Sequence, residues 1–201
     1  MFKNKNKLYN SDYLFNVNMI SNRCSYINPT TKKHCKNYLG LYPQFCFIHT
    51  LLINNVFISK SHIKNAGNGL FAGQEGFKKN SVIGIYSSES NKTTQQNVID
   101  TCNKTQDNSC WEYVLCNLKK KHQNDSDVIC WDAIDKKSTL MRYINDAHKT
   151  KYRNNSYFYI KKKKNTTKIN QKWEFTAYVI ASKNINPYEE IFVDYGKNYW
   201  A

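Results

Sequence analysis

Residues 178–200, YVIASKNINPYEEIFVDYGKNYW, constrain the chain more than any other stretch. An alternating apolar run reads as a β-strand that stops at Ala181 and Ser182. The turn at 184–188 contains Pro187, which has no backbone donor and ends pairing. A second strand over 190–193 then delivers Asp194, Tyr195 and Gly196, followed by the aromatic end Tyr199 and Trp200.

Upstream the pattern is again one of short strands, expected at 56–58, 69–72, 81–86, 113–115, 128–131, 156–160 and 175–181, with polar turns between them. Helix is expected only near 50–55 and 138–145. Residues 91–108 and 119–127 read as polar inserts. The fold class is therefore mainly β. At 201 residues the length favours one domain with a small appendage. Residues 1–22 read as a weakly ordered basic tail, 23–50 as a separate Cys/His segment and 57–200 as the main domain.

The net charge of +15 is almost all lysine, because Arg23, Arg142 and Arg153 are the only arginines. Specific reading of phosphate or guanine favours arginine forks, so the basicity predicts at most weak, salt-dependent contact with nucleic acid. The Asn/Lys bias also suits an AT-rich genome. Lys161 to Lys164 read as a solvated hairpin tip, and Lys119 to Lys121 as a second basic run. No apolar run is long enough for a membrane span, and the N-terminus has no continuous apolar core of signal-peptide type. An intracellular, reducing setting is expected: the nucleus, or host cell or virion for a viral source. Cysteines are then thiols or metal ligands rather than disulfides.

Four residues stand apart as a ligand set. Cys24, Cys35 and Cys46 follow C-x10-C-x10-C, and His49 completes a C-x2-H step. Zinc takes four such ligands tetrahedrally, and a segment with few apolar residues can fold on the metal. His34 is a competing ligand beside Cys35, and the alternative is a set of small buried residues without metal. Cys102, Cys110, Cys116 and Cys130 lack metal-like spacing and read as core thiols.

Five short motifs occur in one order: GNGLFA at 67–72, SVIGIYSSE at 81–89, CWDA at 130–133, LMRYINDA at 140–147 with NNS at 154–156, and VDYG at 193–196. Together they resemble the SET domain, the fold of most protein lysine methyltransferases. The resemblance covers about residues 57–200. It departs from the family pattern R-F-I-N-H-S-C-x-P-N at Asp146 and Ala147, and cysteines beyond the domain are missing. It implies small curved sheets with a C-terminal pseudoknot, here preceded by a small zinc-binding segment.

The resemblance also implies roles. Gly67, Asn68, Gly69, Leu70, Arg142, Asn145, Asn155 and Trp200 would hold S-adenosylmethionine, with the glycines leaving room for a close approach. Tyr195 would be the catalytic phenol. Tyr113 and Phe158 would line the lysine channel, Tyr113 being equally readable as a cross-strand packing residue. A phenylalanine at 158 leaves room for multiple methylation. Acidic Glu89, Asp132, Asp146, Glu189, Glu190 and Asp194 would gather near the site and oppose the global charge. The implied reaction is methyl transfer to a lysine of a protein such as a histone, without membrane attachment. The competing reading is a catalytically inactive SET fold with zinc that binds chromatin or nucleic acid. Neither reading fixes the oligomeric state.

Overall fold

The computed structural model describes residues 22–87, 91–106, 108–117, 123–135, 138–164, 173–196 and 199. The expectations for the N-terminal tail, Ser88 and Glu89, Lys119 to Lys121 and Trp200 lie outside these residues.

In chain order the elements are α1 (Phe47–Asn54), β1 (Val56–Lys60), β2 (Asn68–Ala72), β3 (Val82–Ile85), β4 (Lys92–Thr94), α2 (Gln95–Thr105) and β5 (Val114–Cys116). They continue with β6 (Ile129–Asp132), β7 (Ser156–Lys164), β8 (Trp173–Ala181) and β9 (Glu190–Ile191). Among the described residues the strands form three antiparallel sheets, ordered β1-β2-β9, β3-β8-β7 and β4-β6-β5. Their inner faces meet in one core containing Leu70, Trp131, Ile144, Val179, Ile191 and Val193. Period-2 alternation puts Ala177, Val179 and Ala181 of β8 wholly out of solvent. The chain is mainly β, as the strand pattern predicted.

The C-terminal segment runs between the two ends of the loop 146–155. Val193 N–H donates to Asn145 O at 3.0 Å on one side, and Ser156 N–H donates to Phe192 O at 3.0 Å on the other. Both contacts are parallel bridges. This is the pseudoknot, an exception to the usual unthreaded connections of small domains.

Three local expectations are corrected. The insert 91–108 contains β4 and α2. That helix buries only Val98, with Ile99 and Cys102 partly buried beside it, so its apolar face is narrow; its start is marked by the Thr94 cap, whose side chain accepts from Asn97 N–H at 3.2 Å. Lys161 to Lys164 are not a hairpin tip but the end of β7, paired from Lys161↔Thr176 to Lys164↔Trp173. β3 covers β8 at 178–180, so this ribbon extends past the sheet, and Lys161 to Lys163 are exposed on it. Finally, Cys102–Cys110 and Cys116–Cys130 are disulfides rather than separate thiols. Cys116 and Cys130 are direct cross-strand partners of β5 and β6, a neighbour relation that spacing cannot reveal.

Candidate active site and metal centre

The turn before β2 is held from beneath by a buried carboxylate. Glu190 Oε1 accepts from Ser61 Oγ at 2.6 Å, and its Oε2 accepts from His62 N–H at 2.8 Å. His62 Nδ1 lies 3.3 Å from the same Oε2. Gly69 is the residue that makes room: a Cβ there would collide with the Glu190 carboxylate. The absence of a Cβ at this position therefore serves the internal packing of Glu190. Gly67 has φ +69°, a left-handed conformation that favours glycine, and open space where a Cβ would stand. Gly69→Ala is expected to destabilise the fold by about 1–3 kcal/mol through overpacking, visible as a lower thermal midpoint. An unchanged midpoint would show that Glu190 can move aside.

Asn145 faces this turn, and its Nδ2 donates to Asn68 O at 3.0 Å. The preceding 3-10 turn, Leu140–Tyr143, is set by Thr139, whose Oγ1 accepts from Met141 N–H and donates to Ile85 O. Asn155 is fully buried and braces the threaded segment. Its Oδ1 accepts from Phe192 N–H at 2.8 Å while its Nδ2 donates to Glu190 O at 2.9 Å. One amide thus donates and accepts across an irregular junction. Asp146 accepts from His148 N–H and Asn154 Nδ2 through Oδ1, and from Tyr195 N–H through Oδ2 at 2.9 Å. That acceptor set explains a carboxylate at this position.

Tyr195, Tyr113 and Phe158 come together in one narrow cleft of about 50 Å³, with Tyr86, Ile144 and Tyr199. The Tyr195 hydroxyl donates to Ile144 O at 2.7 Å. The Tyr86 hydroxyl donates to Tyr113 O, and its ring meets Phe158 edge-on at 5.3 Å. Tyr199 stands edge-on to Tyr195 at 4.7 Å. Burial pushes the Tyr195 phenol far above its ordinary pKa, with the Tyr199 and Tyr86 phenols adding to the effect. It is a neutral hydrogen-bonding group throughout the physiological range. Burial, aided by the Asp132 charge, does the same to Tyr86.

Arg142 also lines the cleft, but its guanidinium is committed: Nε donates to Ala133 O at 2.7 Å and an Nη to Ile134 O at 3.1 Å. It also stacks 4.2 Å over the Tyr113 ring. Sequence reasoning overlooked Tyr86 as a lining residue, although it ends the β3 motif. It also overlooked Glu112, the acidic residue lining the mouth of the cleft. The expected acidic cluster divides: Asp146 contacts Tyr195, whereas Glu189 and Glu190 line a separate surface cleft.

At the other end of the chain, Cys24, Cys35, Cys46 and His49 bring their ligand atoms within 4.8 Å of one another. His49 Nδ1 lies 3.3 Å from both Cys24 Sγ and Cys46 Sγ, and its ring stacks on Tyr26 at 3.7 Å. His34 is not in this group. Burial pushes the Cys24 thiol up to about 11. Burial opposes the Cys46 thiolate as well, but hydrogen bonds from the His49 N–H and the Asn37 amide outweigh it and lower that pKa. Burial lowers the His49 pKa, leaving a neutral imidazole lone pair. Three sulfurs and an imidazole packed this closely fit one zinc ion with bonds of about 2.0–2.3 Å.

The SET domain family model matches residues 67–196. The chain belongs to the SET domain family. SET domains are protein lysine methyltransferases that use S-adenosylmethionine. Similar solved structures include polycomb repressive complex 2 of Chaetomium thermophilum in an autoinhibited conformation bound to S-adenosylmethionine, with 23% identity and TM-score 0.49. CpSET8 from Cryptosporidium shows 20% identity and TM-score 0.47. A candidate histone methyltransferase from Plasmodium falciparum shows 19% and 0.41. The alignments cover 71%, 71% and 73% of this chain, and 15%, 57% and 97% of those chains. The chain thus spans only a fraction of the first two. No curated protein matches it. Within this SET domain the matched span includes Gly67, Asn145, Asn155 and Tyr195, while the Cys/His cluster lies before it.

Proposed function

We propose that this SET domain is an active enzyme that moves the methyl group of S-adenosylmethionine to a lysine amine of a protein, with histones the substrate class to test first. The observation that carries this reading is the Tyr195 hydroxyl, fixed 2.7 Å from Ile144 O beside Asn145. Asn145 in turn holds the turn at Asn68. Gly67, Asn68, Gly69, Leu70 and Asn145 would bind the cofactor, with Asn155 bracing the threaded strand behind them. When bound, the cofactor supplies an electron-poor methyl group on a sulfonium.

The remaining work falls to the cleft. Its rings exclude water and disfavour an ammonium, lowering the pKa of a lysine whose free value is about 10.4. Ile144 O and the neutral Tyr195 oxygen orient the amine, so positioning and fixed dipoles provide the catalysis. Phe158 carries no hydroxyl into the cleft, which supports more than one methylation per lysine. The four-ligand cluster would hold a structural zinc apart from the chemistry.

Titration calorimetry of S-adenosylmethionine into the folded protein tests the cofactor assignment. Binding is expected, and Asn145→Ala should weaken it by about tenfold or more, since a lost bond to a charged group costs about 1.5–3 kcal/mol. A folded protein that binds neither cofactor nor its demethylated product would reject the proposal. Binding without transfer to histones or other basic proteins would favour the inactive-module reading. The pH profile gives a further check. Below the pKa of the substrate amine, its neutral fraction rises tenfold per pH unit, and kcat/KM should rise with it. Tyr195 stays protonated over that range and should add no inflection; an inflection that disappears in Tyr195→Phe would contradict this.

A further inference from the structure

A second cleft, of about 340 Å³, shares no lining residue with the Tyr195 cleft. Its walls carry Lys151 and Arg153 from the loop 148–153, Lys183 from the bend after β8, and His62. The loop is seated by stacked rings. Tyr152 lies 6.0 Å from His62 at 27° and 5.5 Å from Phe192 at 24°, and its hydroxyl donates to His62 O at 3.4 Å. The basic side chains are thus presented from an anchored loop.

The two carboxylates of this cleft are engaged by the fold. Glu189 accepts from the Asn155 amide at 3.2 Å and from Asn186 N–H at 2.9 Å. Glu190 is held by Ser61 and His62. The cations differ. Arg23 donates to Lys36 O and Arg142 to Ala133 and Ile134, whereas Arg153 has no hydrogen-bond or ion-pair partner among the described residues, and neither has Lys183. Lys151 only overlies the Tyr152 ring at 5.4 Å. One arginine fork and two lysines therefore face a concave surface with their donors unspent, and a guanidinium fork matches phosphate oxygens.

We infer that this cleft binds a phosphate of a nucleic-acid backbone, without regard to base sequence. A polymer is favoured over a small phosphate because only a polyanion also draws on the chain's net charge of +15. Because the two clefts share no lining residue, nucleic acid held here would leave the Tyr195 cleft open.

Fluorescence anisotropy with a short DNA duplex tests this against a charge-matched control. Arg153→Gln with Lys183→Gln should weaken binding about tenfold at low salt and flatten log K against log salt by about 1–2, as two phosphate contacts imply. Lys32→Gln with Lys33→Gln, on an exposed turn of the Cys/His segment, removes the same charge and should change binding less than about twofold. Thermal midpoints and methyl transfer to a free peptide should be unchanged in both. Equal losses in the two variants would mean a diffuse lysine field and overturn the site. Absence of duplex binding at low salt would overturn it too. Displacement of the duplex by inorganic phosphate or a phosphoserine peptide at matched ionic strength would assign the cleft to a small phosphate instead.

Discussion

Tyr195→Phe is expected to lower single-turnover methyl transfer by about 10²–10³-fold, the usual effect of deleting one preorganised hydrogen-bonding group at a reacting centre. The ring still fills its place against Tyr199 and the core. The variant loses the hydroxyl's bond to Ile144 O, worth about 1 kcal/mol of stability. Cofactor affinity should hold, because Asn145 and the turn at Asn68 are joined independently of the phenol. A purely structural tyrosine would give the opposite pair of results: a lower melting point and a normal rate per folded molecule. A thermal melt beside a single-turnover assay separates them, and wild-type turnover in a stable variant would defeat the catalytic assignment.

Cys35→Ser combined with Cys46→Ser is expected to remove about one equivalent of zinc and unfold the segment that carries it. The apolar core of that segment consists of Cys24, Leu39 and Cys46, with Tyr26, Cys35 and Phe45 packed against it, so the ligands are most of the core. Metal binding supplies about 10–16 kcal/mol of folding free energy to zinc-finger peptides at neutral pH, far more than such a cluster can replace. Hydrogen bonds between the segment and the rest of the chain include Ile58 N–H to the Tyr42 hydroxyl and the Tyr143 hydroxyl to Leu41 O. Hydrogen exchange should therefore lose its protection across residues 24–49 and keep it in β2 and β8. Full metal content in the double variant would rule these ligands out.

Sequence by itself determined the features that depend on neighbours along the chain. Alternation marked the strands around the core, Pro187 marked the turn before β9, and the order of the short motifs led to the SET domain. The Cys/His quartet was also legible, since thiol and imidazole groups at a C-x2-H step are rarely placed by packing alone. What remained hidden depends on partners distant in sequence. Nothing near Gly69 in sequence announces the Glu190 carboxylate packed against it, which is joined to Ser61 across 129 positions. Asp146 looked like a departure from the family pattern until Tyr195 N–H reached it across 49 positions. Helix α2 offers only a narrow apolar face around Val98, and the two disulfides follow from which elements lie side by side. Local propensity acts over a few residues, whereas these contacts are chosen by closure of the three sheets around one core and the threading of the C-terminal strand. The sequence therefore carried the parts and their order, and the tertiary structure decided which buried group each part would meet.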